Sequence, residues 1–186
     1  MRPYRGLDDL QAMKALLSGC YVQARETGLL HPGDLDWRTF YIMVSKQQLL
    51  EETIWLLDGD GDDLRGWVTL DPPNGADMAV RVDLHGGAVE ADLIDWTVDK
   101  LRSAGAIQTV TLHAWGDEAE RRALLEARGF TLEPRFYRMG QTLETTLPEP
   151  RLPEGFHFLP TMQPEDAPAR ADVHADAFHP SRMTAA

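Results

Sequence analysis

Apolar positions along this chain change their period several times, and each change marks an element. From Asp8 the spacing Leu10, Met13, Leu17 predicts a helix that ends near Ser18-Gly19, after a short strand at residues 1–5. The stretch that follows alternates polar turns with apolar clusters. Its His31-Pro32-Gly33-Asp34 loop precedes an aromatic run of Trp37, Phe40 and Tyr41, which reads as the rim of a pocket. Residues 53–58 (TIWLLD) and 64–70 (LRGWVTL) are short β-like runs on either side of Gly59 to Asp63, a hairpin signal. A second turn, residues 71–77 (DPPNGAD), leads to a strand at 78–84 and a helix at 87–104. In that helix Val89, Leu93, Ile94, Trp96, Val98 and Leu101 cover one broad arc, with Asp92, Asp95, Asp99 and Arg102 opposite, as for a helix laid on a sheet. A further strand is expected at 106–115. Asp117 and Glu120 form a capping-box pattern at the start of a helix that Gly129 stops. FTLEP (130–134) and FYRMGQTL (136–143) then read as a strand pair.

The order of strand, helices, three strands, helix, strand, helix and two strands is that of a mixed α/β domain. Antiparallel hairpins come early and strand-helix-strand crossovers late. The 186 residues allow one domain, or one domain and part of another. Against 18 basic residues stand 30 acidic ones, a net charge of −12 that repels nucleic acid and anionic membrane and favours an amine-bearing substrate. Cys20 is the only cysteine, so neither an intrachain disulfide nor a cysteine metal site is expected. The DGDGDD string at 58–63 invites a calcium loop, but Asp63 and Thr69 stand where an EF-hand loop needs glycine and glutamate, so no metal is expected. No segment has signal-peptide or membrane-span character, which makes a soluble cytoplasmic protein the expectation.

Chemistry concentrates in residues 78–105. A strand feeding a glycine turn and a helix N-terminus can cradle a phosphate, because backbone N–H groups and the helix dipole converge there. Here the third residue after Gly86-Gly87 is Glu90, a carboxylate placed where the phosphate would sit. In the first turn the same side chain complements the helix dipole and leaves the N-terminus satisfied by its own chain.

With this order, RRALLEARGF (121–130) and FYRMGQTL (136–143) resemble the last helix, its glycine-phenylalanine strand start and the following strand of the GNAT (Gcn5-related) N-acetyltransferases. The resemblance covers about residues 1–147, and HPGDLDW (31–37) resembles a segment of tandem GNAT proteins. It implies a central mixed sheet flanked by helices, acetyl-CoA as cofactor and acetyl transfer to an amine. It places Val80, Arg81, Val82, His85, Gly86, Gly87 and Ala88 along the cofactor strand and loop. His85, Ala88 and Glu90 replace the loop's usual basic, glycine and small residues. Leu125 and Glu118 stand where the family's catalytic tyrosine and a preceding asparagine are expected. His113, Glu51, Glu52 and Asp83 are what is left as general-base candidates. The expectation is a degenerate GNAT unit, or alternatively a binding module that uses the emptied cleft or the aromatic loop.

After Thr142 the character changes. The expected organisation is a GNAT-like unit at 1–143, a proline-rich linker at 144–153, and at 154–186 the opening strand and helix of a second unit. GFHFLP supplies the strand and PEDAPARADVHADAF the helix, with Asp166 echoing Asp9. Such a tail can dock on another copy, which makes a homodimer possible.

Overall fold

A computed structural model describes residues 1–24, 30–42, 46–59, 63–105, 109–114, 118–133, 144, 146, 148–158 and 163–179. The chain divides into two units, Met1–Leu132 and Glu133–Ala186. The first holds β1 (Arg2–Pro3), α1 (Leu7–Ala24), α2 (Pro32–Trp37), a π-helical turn (Arg38–Ile42), α3 (Leu50–Thr53), β2 (Ile54–Asp58), β3 (Leu64–Asp71) and β4 (Gly75–Val80). It continues with a 3₁₀ turn (Val82–Leu84), α4 (Ala88–Ser103), β5 (Thr111–Leu112) and α5 (Ala119–Glu126). The second unit contributes a 3₁₀ turn (Pro164–Asp166) and α6 (Ala167–Ala177), with proline in the first turn as the sequence requires of a helix start.

The five strands lie in chain order. β1 to β4 are antiparallel, and β4 pairs with β5 in parallel. That is the mixed sheet expected from early hairpins and a late crossover. Alternation along β3 and β4 sends successive side chains to opposite faces. Leu56, Trp67 and Ala79 lie on one face with Tyr4, Leu10, Met13, Leu17 and Leu35 of the α1/α2 layer. Val68, Leu70, Ala76, Met78 and Val80 lie on the other with Leu93, Ile94 and Leu101 of α4 and Leu125 of α5. Both faces are covered, so β3 and β4 read as nearly continuous buried runs rather than as half-polar strands. Gly66 serves this packing: a Cβ there would stand 2.9 Å from the Ala79 carbonyl and 3.4 Å from Leu93 of α4.

Several boundaries differ from the sequence reading. α1 runs past Ser18-Gly19 to Ala24, because Cys20 is buried against β4 and tertiary packing outweighs the roughly 1 kcal/mol helix penalty of one glycine. β4 starts at Gly75 and stops at Val80 instead of spanning 78–84. Its turn closes as soon as Asp71 pairs with Gly75, and the chain leaves the sheet through the 3₁₀ turn that enters α4. The strand expected at 106–115 is a ladder of two pairs, Gly75 with Thr111 and Ala76 with Leu112, while 106–108 and 115–117 lie outside the described residues. α5 begins at Ala119 with Glu118 at the N-cap, whose side chain makes no capping hydrogen bond, and Asp117 lies outside the described residues. Residues 130–133 and 156–158 are irregular rather than strand, and 134–143 lie outside the described residues.

Candidate functional site

Beyond Ala76 and Leu112 the ladder between β4 and β5 ends, and β4 presents the edge of residues 77–80. An exposed strand edge carries backbone groups in need of partners. At Val80 the chain supplies them itself. The Val80 carbonyl is met by the His85 ring at 3.2 Å and by the Cys20 thiol at 3.5 Å. Burial pushes the Cys20 thiol up in pKa, so it stays a neutral filler. Beside this edge lies a cavity of about 30 Å³, lined by Leu17, Cys20, Trp67, Met78, Val80, His85, Glu118 and Arg121 among others, and a wider one of about 340 Å³ lies between α1 and the Arg81–Asp83 segment, with Gly19, Cys20, Asp63 and Leu64 in its wall. The smaller is the one that adjoins the Val80 carbonyl, and it has room for about one water molecule.

The loop from β4 to α4 is closed in the same way. Gly86 takes φ +68°, a left-handed conformation natural to glycine, and so turns its N–H onto Oε2 of Glu90 at 2.7 Å. The other oxygen of Glu90 accepts from Nε of Arg121 at 2.6 Å. Glu90 is fully buried and the Arg121 side chain is only 7% exposed, with Glu118 at 3.6 Å from the guanidinium. The sequence reading foresaw Glu90 as a charge at the helix N-terminus. It missed Arg121, which comes from α5, 31 residues away, and neutralises that charge inside the protein.

The expected cofactor residues fall on two surfaces: Val80 and His85 line the smaller cavity, and Arg81 and Val82 the wider one. Val80 is buried. The Arg81 side chain turns to Asp63 and to Asp83 at 2.9 Å, which holds the Asp83 carboxyl below its usual range. Val82 belongs to the 3₁₀ turn, the Gly87 N–H is donated to the Leu84 carbonyl, and Ala88 starts α4. Glu51 and Glu52 are exposed on α3, and the Glu52 carbonyl accepts from the Trp55 indole.

His113 is set in a polar cluster on the sheet. Its Nδ1 lies 2.8 Å from Oδ1 of Asp77, and the other oxygen of Asp77 pairs with Arg38 from the π-helical turn. Burial works to raise the Asp77 pKa, but the His113 hydrogen bond and the Arg38 and His113 charges outweigh it, so the carboxyl sits below its usual range. An ionised Asp77 accepts only, so Nδ1 of His113 carries the proton. Asp77 and Arg38 were not picked out from the sequence. A buried aspartate in the middle of a β-pattern was the available signal.

No family model matches the chain. Over 134 residues, 69% of its length, it is 34% identical to a mycothiol acetyltransferase of Thermobispora bispora. The solved structure of a GCN5-related N-acetyltransferase from Sphaerobacter thermophilus covers 100% of the chain at a TM-score of 0.53 and 16% identity. This chain has the GNAT fold. The match covers 43% of the length of that relative, and the GCN5-related structure is covered to 60%. Leu125, at the position of the family's expected tyrosine, is buried in the core with Leu93, Ile94 and Leu101 of α4. Among the described residues there is no group of three His, Cys, Asp or Glu placed to hold a metal, and no helix long and apolar enough to cross a membrane.

Proposed function

We propose that this chain is a GNAT unit of an acetyltransferase of the mycothiol acetyltransferase type, in which the acetyl-CoA site of the unit is sealed by its own side chains. The observation that carries the reading is the Glu90 carboxylate, fully buried between the Gly86 N–H and Arg121. These two donors are what a pyrophosphate would need, and a carboxylate of the chain already occupies both. For the cofactor to take them, a buried ion pair must open, which costs about 3–5 kcal/mol and weakens binding by about 10²–10⁴-fold. Cys20 and His85 on the Val80 carbonyl, and Leu125 in place of a proton donor, point the same way. Acetyl transfer from acetyl-CoA to an amine is then the work of the whole protein, with this unit in a structural role and a second unit supplying the catalytic cleft.

Isothermal titration calorimetry of the full chain with acetyl-CoA tests this. Silence up to millimolar cofactor is the expected result. Micromolar binding overturns the sealed reading and restores the unit as a cofactor-binding enzyme domain.

A further inference from the structure

Gly19 lies inside α1, well before the helix ends at Ala24, where glycine is a poorer helix former than alanine. Its backbone is not in the left-handed region, and a Cβ built on it would meet nothing within 4 Å among the described residues. Neither conformation nor crowding calls for glycine there. What the missing side chain preserves is space, because Gly19 lines the wider cavity. At about 340 Å³ that cavity has the size of a small-molecule site.

The lining has an apolar part and a charged one. Ala12, Ala15, Leu16 and Gly19 stand at the i, i+3, i+4 and i+7 spacing that puts them on one face of α1, and Leu64 and Val82 extend the apolar wall. Asp63, Arg81 and Asp83 complete it. Arg81 donates to Oδ2 of Asp63 and to both oxygens of Asp83, at 3.0 and 2.9 Å. One positive and two negative charges leave this group net negative. Two carboxylates offer about eight lone-pair positions, so after three bonds about five acceptor positions remain against about two guanidinium N–H groups. Such a place suits an occupant that donates hydrogen bonds and carries a positive charge on an apolar body. An ammonium holds its water strongly, whereas a planar amidinium or guanidinium is weakly hydrated and presents its donors in a fork that matches a carboxylate. An anion is repelled by the net charge.

We propose that the cavity between α1 and the Arg81–Asp83 segment binds an organic monocation with an apolar body and an amidinium or guanidinium head. The head pairs with Asp63, of which Arg81 takes only one oxygen, and the body lies on Ala12, Ala15, Leu16 and Gly19. The site goes beyond the sealed-cofactor reading and does not depend on it, since Cys20 is the one residue that lines both cavities among the described residues.

The test is isothermal titration calorimetry of the full chain with benzamidine, an aromatic amidinium, beside benzamide, its neutral counterpart of nearly the same shape. The expected result is saturable binding of benzamidine with a dissociation constant of about 1 mM, and benzamide weaker by about tenfold or more. Asp63→Asn removes one charge from a half-exposed side chain and should weaken benzamidine about tenfold. Gly19→Leu should fill the cavity and abolish binding without lowering the melting temperature, because leucine is the better helix former and its Cβ meets nothing. No saturation by about 10 mM benzamidine, benzamide bound as tightly, or an affinity unchanged in Asp63→Asn or in a folded Gly19→Leu, each overturns the proposal. If Gly19→Leu folds poorly, Asp63→Asn and benzamide still decide it. Calorimetry with acetyl-CoA reads the other site, so either idea can fail alone.

Discussion

Glu90→Ala removes the acceptor of both the Gly86 N–H and Arg121, and the expected loss follows from the two partners left behind. Breaking a buried ion pair from one side costs about 3–5 kcal/mol, because the remaining charge stays buried and uncompensated. The orphaned Gly86 N–H is part of that figure rather than an addition to it, since water entering the space of the lost side chain can reach both groups. Glu90→Gln keeps an acceptor for Gly86 and loses only the charge opposite Arg121, so it should cost less, about 1–3 kcal/mol. Replacing both partners by apolar side chains of similar size, Glu90→Leu with Arg121→Met, should recover most of the loss, since desolvation and attraction nearly cancel in such pairs. Urea unfolding followed by tryptophan fluorescence measures these values, and all five tryptophans lie between residues 37 and 115, so the signal reports the first unit. A Glu90→Ala cost below about 1 kcal/mol, or a double variant no better than the worse single one, would refute the argument that the pair is a buried, mutually dependent lock.

Acid should weaken the first unit through Asp9 and Asp77. The hydrogen bond to Arg2 holds Asp9 below its usual pKa, and His113 with Arg38 does so for Asp77 against the effect of burial. Depressed carboxyls stabilise above the unfolded value of about 3.9, and that contribution is lost as pH falls through it toward the folded values. Asp77→Asn should flatten this acid limb in pH-dependent urea titrations, and an unchanged limb would remove Asp77 from the account. Gly86→Ala should destabilise by about 1–3 kcal/mol, since the left-handed backbone strains any side chain and its Cβ would stand 2.7 Å from Cβ of Glu120. A melting point unchanged by this substitution would mean that the loop relaxes freely.

The architecture was legible because it follows from local chemistry. Alternating apolar runs around Gly59 and around Asn74 specify hairpins, and an apolar arc from Val89 to Leu101 specifies a helix that must lie on a sheet. Glu90 also stood out, since a carboxylate in a glycine turn is visible from spacing alone. Whether that carboxylate meets solvent, a ligand or a cation depends on which distant residue packs over it, and Arg121 arrives from another helix. The cluster of Asp77, His113 and Arg38 is assembled in the same way, by strand register and by an arginine reaching in from the turn after α2. Periods of two and 3.6 set which face of an element is apolar. The partner of a buried charge is set by long-range packing, where low polarity makes each unpaired group costly, and no local pattern encodes it.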